Sequence, residues 1–201
     1  MSKLWRICLF PKKIRNDAGF SLIEMMLALS IGAIILLALY STLGYTTNAC
    51  HTTEKEDEIL LNGRYALEYI KREIRYADEI IDIGYDRFRD LDLRYKDNIG
   101  FVIMSHDPDN NQDGAGSYNF STYYIRENML YRIAVNTPTR LYPRASFFGG
   151  YNIVAEHVIF FKRTDIDSES KAIDLHLVLK SDKSREMNFN STVKIRCPVI
   201  H

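Results

Sequence analysis

From Phe20 to Thr53 the chain carries one formally charged side chain, Glu24, and the stretch LIEMMLALSIGAIILLALY is otherwise almost wholly apolar. Such a run reaches the ~20 residues that an α-helix needs to cross a bilayer. Residues 1–19 precede it with Lys3, Arg6, Lys12, Lys13 and Arg15 against one acid, Asp17. The positive-inside rule puts that basic segment in the cytoplasm and everything after the span outside, a single pass through the cytoplasmic (inner) membrane. A secretory signal peptide orders its parts differently, with a short apolar run followed by a small-residue cleavage site. Here the run is too long and no such site follows it. The plain alternative is an uncleaved single-span anchor.

Two features argue for more than an anchor. A carboxylate near the start of an apolar span costs up to ~2.5–3.5 kcal/mol at the membrane centre and less near the interface, so an intramembrane acid points to a function and to a cationic partner. Gly19 stands directly before the run, where an extended peptide could enter a protease cleft easily. A cut after Gly19 would give Phe20 a positive α-amino group four residues from Glu24. An amine on one subunit and a carboxylate on its neighbour would then neutralise each other in a low-dielectric setting and set the axial register of packed helices.

Gly19-Phe20-Ser21-Leu22-Ile23-Glu24 after a short basic leader resembles the signal of type IV prepilins and type II secretion pseudopilins. The resemblance implies that a prepilin peptidase cuts between Gly19 and Phe20, that Phe20 becomes the N-methylated terminus, and that Glu24 serves subunit assembly. Its implied partners are that peptidase, the N-terminal helices of other major and minor pilins or pseudopilins, and membrane lipid. One departure stands out. Many major pilins carry a helix-kinking proline in the apolar segment, and residues 20–81 hold none.

Beyond a polar patch, Thr46 to Thr53, the sequence EKEDEILLNGRYALEYIKREIRYADEII has Leu60, Leu67, Ile70, Ile74, Ala77 and Ile81 at helical spacing. Tyr65, Tyr69 and Tyr76 are expected to thicken this face, and Gly84 to end the helix. Gly32, Gly44 and Gly63 mark points of bending or close approach. The remainder reads as strands: Asn98–Ser105, Ser121–Arg126, Met129–Val135, Asn152–Arg163, Ala172–Ser181 and Met187–Arg196. A hairpin is expected to turn at Glu127-Asn128, and Ile173, Leu175, Leu177 and Leu179 to share one face.

Together these give an α+β fold, a type IV pilin-like ladle in which a long N-terminal helix, membrane-spanning in its first half, packs on an antiparallel β-sheet domain. The segments are 1–19 (basic leader, removed), 20–53 (transmembrane and assembly half of the helix) and 54–201 (extracytoplasmic domain, with 54–83 amphipathic helix and 84–201 β-rich). An acidic loop ending in Asp113-Gly114 before the Tyr-rich hairpin at Leu130-Tyr131-Arg132 resembles the PilW and GspJ-like minor pilins. That likeness implies a minor subunit that primes assembly or sits near the tip of a type IV pilus, competence pseudopilus or type II secretion pseudopilus. The alternative is a membrane-anchored adhesin or DNA-uptake module on a pilin anchor.

Few residues suggest chemistry. Asp109-x-Asn111-x-Asp113-Gly114 opens like a calcium loop, with Asp107 as a further oxygen ligand, but its closing position falls on Phe120 rather than on a glutamate. Calcium is therefore the one cofactor in question, and a plain solvated turn the alternative. Cys50 and Cys197 could pair in an exported chain or remain separate buried thiols; Cys8 lies in the leader. The five histidines show no metal spacing, and no nucleophile, P-loop or metalloprotease motif occurs, so no enzyme is expected. Without its five basic leader residues and one acid, the balanced 26 basic and 26 acidic residues become a net charge of −4, which gives nucleic acid no electrostatic footprint.

Overall fold

The structure, a computed structural model, describes residues 19–108, 116–164, 171–181 and 184–201. Its first element, α1 (Leu22–Tyr76), belongs to two units. Residues of α1 up to Asn48 form the first; those from Ala49 belong to the second, with all that follows.

In the first unit every large apolar side chain from Phe20 to Tyr45 is exposed. A helix that is apolar all round cannot stay in water, and this is the one described helix long and apolar enough to cross a membrane. Lipid or other helices are the natural cover.

The second unit adds strands β1 (Glu79–Asp82), β2 (Phe101–Asp107), β3 (Ser117–Arg126), β4 (Met129–Thr137), β5 (Gly149–Glu156), β6 (Val158–Phe161), β7 (Ala172–Leu179), β8 (Met187–Lys194) and β9 (Val199–Ile200). A short helix, α2 (Arg89–Arg94), follows β1. The strands form a six-stranded sheet ordered β5-β4-β3-β2-β1-β9 and a three-stranded sheet ordered β6-β7-β8. All pairings are antiparallel except β1 with β9. The expected α+β architecture, a long N-terminal helix followed by an antiparallel-rich sheet domain, is the observed one.

Two cores explain why both sheets hold. Ile59, Ala66, Leu67, Ile70 and Ile74 of α1 meet Phe101, Ile103 and Tyr123 of the large sheet and Ile173, Leu175, Leu177 and Leu179 of the small one. The four β7 residues do share a face, as their period-two spacing requires. Ile81, Val102, Met104, Phe120 and Ile133 point the other way, under Phe88, Leu91 and Tyr95 of the α2 region and Phe148. The large sheet is thus buried on both sides. Hence Phe101–Met104 reads as a continuous apolar run rather than an alternating one.

Several sequence expectations change. The helix stops at Tyr76, not near Gly84, and Ile81 is a strand residue. Ile80 and Ile81 serve opposite cores, which the helical reading of that stripe could not accommodate. Gly84 instead follows β1, its N–H donating to Asp82 Oδ1 at 2.6 Å. Tyr65 and Tyr76 are exposed rather than part of the buried face, and Ile59 takes the fully buried place expected near Leu60. Gly63 is a close approach: a side chain there would run into the Phe189 ring. Asn152–Arg163 is two strands in two sheets, divided at His157, whose φ of 61° swings the chain out of the large sheet. The hairpin turns where expected, with φ of 52° and 59° at Glu127 and Asn128, the two positive values of a type I′ turn.

Candidate functional site

The start of α1 is built by four residues. Ser21 precedes the first helical turn, and its Oγ accepts from the Glu24 N–H at 3.3 Å. Glu24 reaches back: its Oε2 accepts from the Ser21 N–H at 2.9 Å and from the Ser21 hydroxyl at 3.0 Å. Ser21-x-x-Glu24 is therefore a capping box, which satisfies donors that the first turn of any helix leaves unpaired. The sequence held this signature, and the reading of Glu24 as an isolated membrane carboxylate passed over it. Such caps contribute about 1 kcal/mol, small enough for the carboxylate to exchange partners.

Gly19 and Phe20 lie just outside the helix, both exposed, Phe20 by 85%. Among the described residues, no heavy atom comes within 4 Å of a side chain built at Gly19. As far as the described residues go, the Gly19–Phe20 peptide bond thus lies outside the helix and is sterically open. Residues 1–18, with the basic leader side chains and Cys8, lie outside the described residues.

The remaining candidates fall elsewhere on the chain, several of them outside the described residues. Asp107 ends β2 and is exposed, whereas Asp109, Asn111, Asp113 and Gly114 lie outside the described residues. Phe120, at the closing position of the calcium pattern, is fully buried in β3 and supplies no ligand. Among the described residues no group of three or more His, Cys, Asp or Glu side chains is placed to hold a metal. Cys50 and Cys197 are not joined: both are free thiols, Cys50 exposed on α1 and Cys197 half-buried beside the first core. Burial pushes the Cys197 thiol up.

A polar cluster that the sequence did not reveal fixes α1 on the large sheet. Glu73 Oε2 accepts from Tyr123 Oη at 2.5 Å and Ser121 Oγ at 3.1 Å, while Oε1 accepts from Arg132 Nε at 2.7 Å. Arg132 Nη2 also donates to Asn119 Oδ1 at 3.1 Å. Burial and the adjacent Glu73 carboxylate push the Tyr123 hydroxyl well above its usual pKa. Burial works against the Arg132 charge, but Glu73 outweighs it and holds the guanidinium protonated more firmly than usual. Little in the sequence signalled it, because Glu73 borders the apolar stripe of Ile70 and Ile74 but stands among Lys71, Arg72 and Arg75.

Residues 14–40 match the family described as the prokaryotic N-terminal methylation motif. The matched span contains Gly19, Phe20, the capping box and the whole apolar run, residues 22–40. It supports a type IV pilin-like or pseudopilin protein, processed by a prepilin peptidase and assembling with other pilins. No curated protein and no solved structure matches the chain.

Proposed function

We propose that the chain is a prepilin whose mature form, beginning at Phe20, is a minor, non-enzymatic subunit of a type IV pilus, competence pseudopilus or type II secretion pseudopilus. The carrying observation is an open Gly19–Phe20 bond set immediately before a capped, all-round apolar helix, inside the matched methylation motif. Prepilin peptidase cuts that bond and Phe20 is N-methylated. The chain then waits as a single-pass protein of the inner membrane, with residues 20–53 as the transmembrane and assembly half of the helix and 54–201 outside.

Cleavage creates the cation that Glu24 lacks. In the lone subunit the carboxylate caps its own helix through Ser21. In the filament it leaves that cap, worth about 1 kcal/mol, for the amine of a neighbouring Phe20. A charge pair in a low-dielectric helix bundle exceeds a local cap, so the exchange favours assembly in one axial register. The proline-free span and the Tyr-rich hairpin support a minor subunit that primes assembly or stands near the tip.

Intact mass spectrometry of the membrane-extracted protein tests this reading. The expected chain begins at N-methylated Phe20. A chain that keeps residues 1–19 in cells with an active peptidase refutes it.

A further inference from the structure

A groove of about 900 Å³ runs between α1 and β8 within the second unit. Its helical wall carries Tyr65, Tyr69 and Tyr76, of which Tyr65 and Tyr76 are 60% and 76% exposed. Aromatic side chains of that size left over empty space call for a covering group. Below them lies a sheet edge, because β8 is the outermost strand of its sheet.

The register shows what that edge offers. Ile195 N–H donates to Lys171 C=O at 2.8 Å, so Ile195 belongs to the hydrogen-bonded pairs and Lys194, opposite Ala172, does not. Alternation then turns the N–H and C=O groups of Thr192 and Lys194 away from β7 and into the groove. An edge of this kind is a template for another strand.

Charge selects the strand. Arg72 and Arg75 on α1, with Lys194 and Arg196 from β8 and the chain just beyond it, border the groove, and none has an ion pair among the described residues. Arg72 lies 5.2 Å from the centroid of the Tyr69 ring. The acid on the groove wall, Glu68, is already held by Lys71 at 2.6 Å. We propose that this groove binds an extended, acidic segment of another polypeptide, which pairs with β8 as a fourth strand beneath the tyrosines and sets its carboxylates against Arg72, Arg75 and Lys194. A peptide uses the exposed backbone groups of β8; a nucleic acid strand has no matching row of donors and acceptors. This inference does not depend on the filament position of the chain.

The test uses the full chain in nanodiscs of neutral phosphatidylcholine. A fluorescein-labelled octapeptide alternating Glu and Val serves as the probe, with binding read by fluorescence anisotropy. Two N-methylated versions block the amides of either its odd or its even residues. Only one parity should lose binding, by tenfold or more, since a strand offers one edge to β8. The combined exchange of Arg72→Glu and Lys194→Glu, both at exposed positions, should also weaken binding tenfold or more while leaving the melting temperature unchanged. If that pair fails to fold, Arg75→Glu alone should weaken binding at least threefold. Equal loss for both methylated peptides overturns the proposal. So does equal binding of a Gln-Val octapeptide, or tighter binding of a labelled twelve-residue oligothymidylate, which would mark the groove as a polyanion site.

Discussion

The Glu73–Arg132 pair makes the sharpest demand on the helix–sheet junction. Both side chains are largely buried, 18% and 13% exposed, and each carries hydrogen bonds besides the ion pair. Glu73→Leu would leave Arg132 charged beneath α1 with only Asn119, and would strip Tyr123 and Ser121 of their acceptor. Removing one member of a buried pair costs about 3–5 kcal/mol. At roughly 2–4 °C per kcal/mol for a domain of this size, melting should fall by roughly 6–20 °C.

Replacing both members is a different matter, because no charge is then left buried. Glu73→Leu combined with Arg132→Leu should recover at least half of the loss. The measurement is calorimetry on residues 49–201, which contain every residue of both cores. A Glu73→Leu shift below about 3 °C would refute the reasoning. So would an Arg132→Leu effect that simply adds to it, since additivity means that the two charges do not depend on each other.

Other outcomes follow from particular residues. Tyr123 holds its proton above its ordinary pKa of 10.0 in the folded chain, so the unfolded chain releases it first as pH rises. Stability from this group is complete below pH 10 and falls beyond it; urea melts from pH 9 to 11 should show a shallower fall for Tyr123→Phe. Gly100 has a φ of 96°, and a side chain there would meet the Thr164 carbonyl oxygen at 2.7 Å. Gly100→Ala should cost about 2 kcal/mol in denaturant midpoint, strain and clash together. Glu127→Asn with Asn128→Gly gives the type I′ turn its preferred residues and should raise melting by roughly 2–4 °C. Glu24→Ala should leave processing after Gly19 intact on immunoblots yet reduce filament incorporation tenfold or more; normal incorporation would remove the assembly role.

The legible parts of this chain are those in which one local pattern meets one environment. Phe20–Tyr45 is apolar on all sides, and nothing but an exposed, span-length helix answers to that. In Ala172–Leu179, Ile173, Leu175, Leu177 and Leu179 recur at every second position, and all four lie on one core. The pattern fails where a segment serves two environments. Ile80 and Ile81 feed opposite cores, so their adjacency mimics a continued helix. Residues 152–163 look like one strand because both halves are β-prone, yet a single backbone rotation at His157 divides them between sheets.

Two glutamates on α1 show where the limit falls for the site. Glu24 is conspicuous because its neighbours are apolar, and its capping partner Ser21 stands only three residues before it, so environment and partner are both local. Glu73 sits among Lys71, Arg72 and Arg75, where a charge attracts no attention, and its partners lie 48 to 59 residues away on β3 and β4. Only the register of Tyr123 with Arg132 places the hydroxyl and the guanidinium side by side under the helix. A carboxylate in that position cannot change partners without leaving a buried cation behind, whereas Glu24 gives up only a cap. The same residue type is therefore a fixed clasp at one point of α1 and an exchangeable contact at another, and the cost of losing its present partner separates the two.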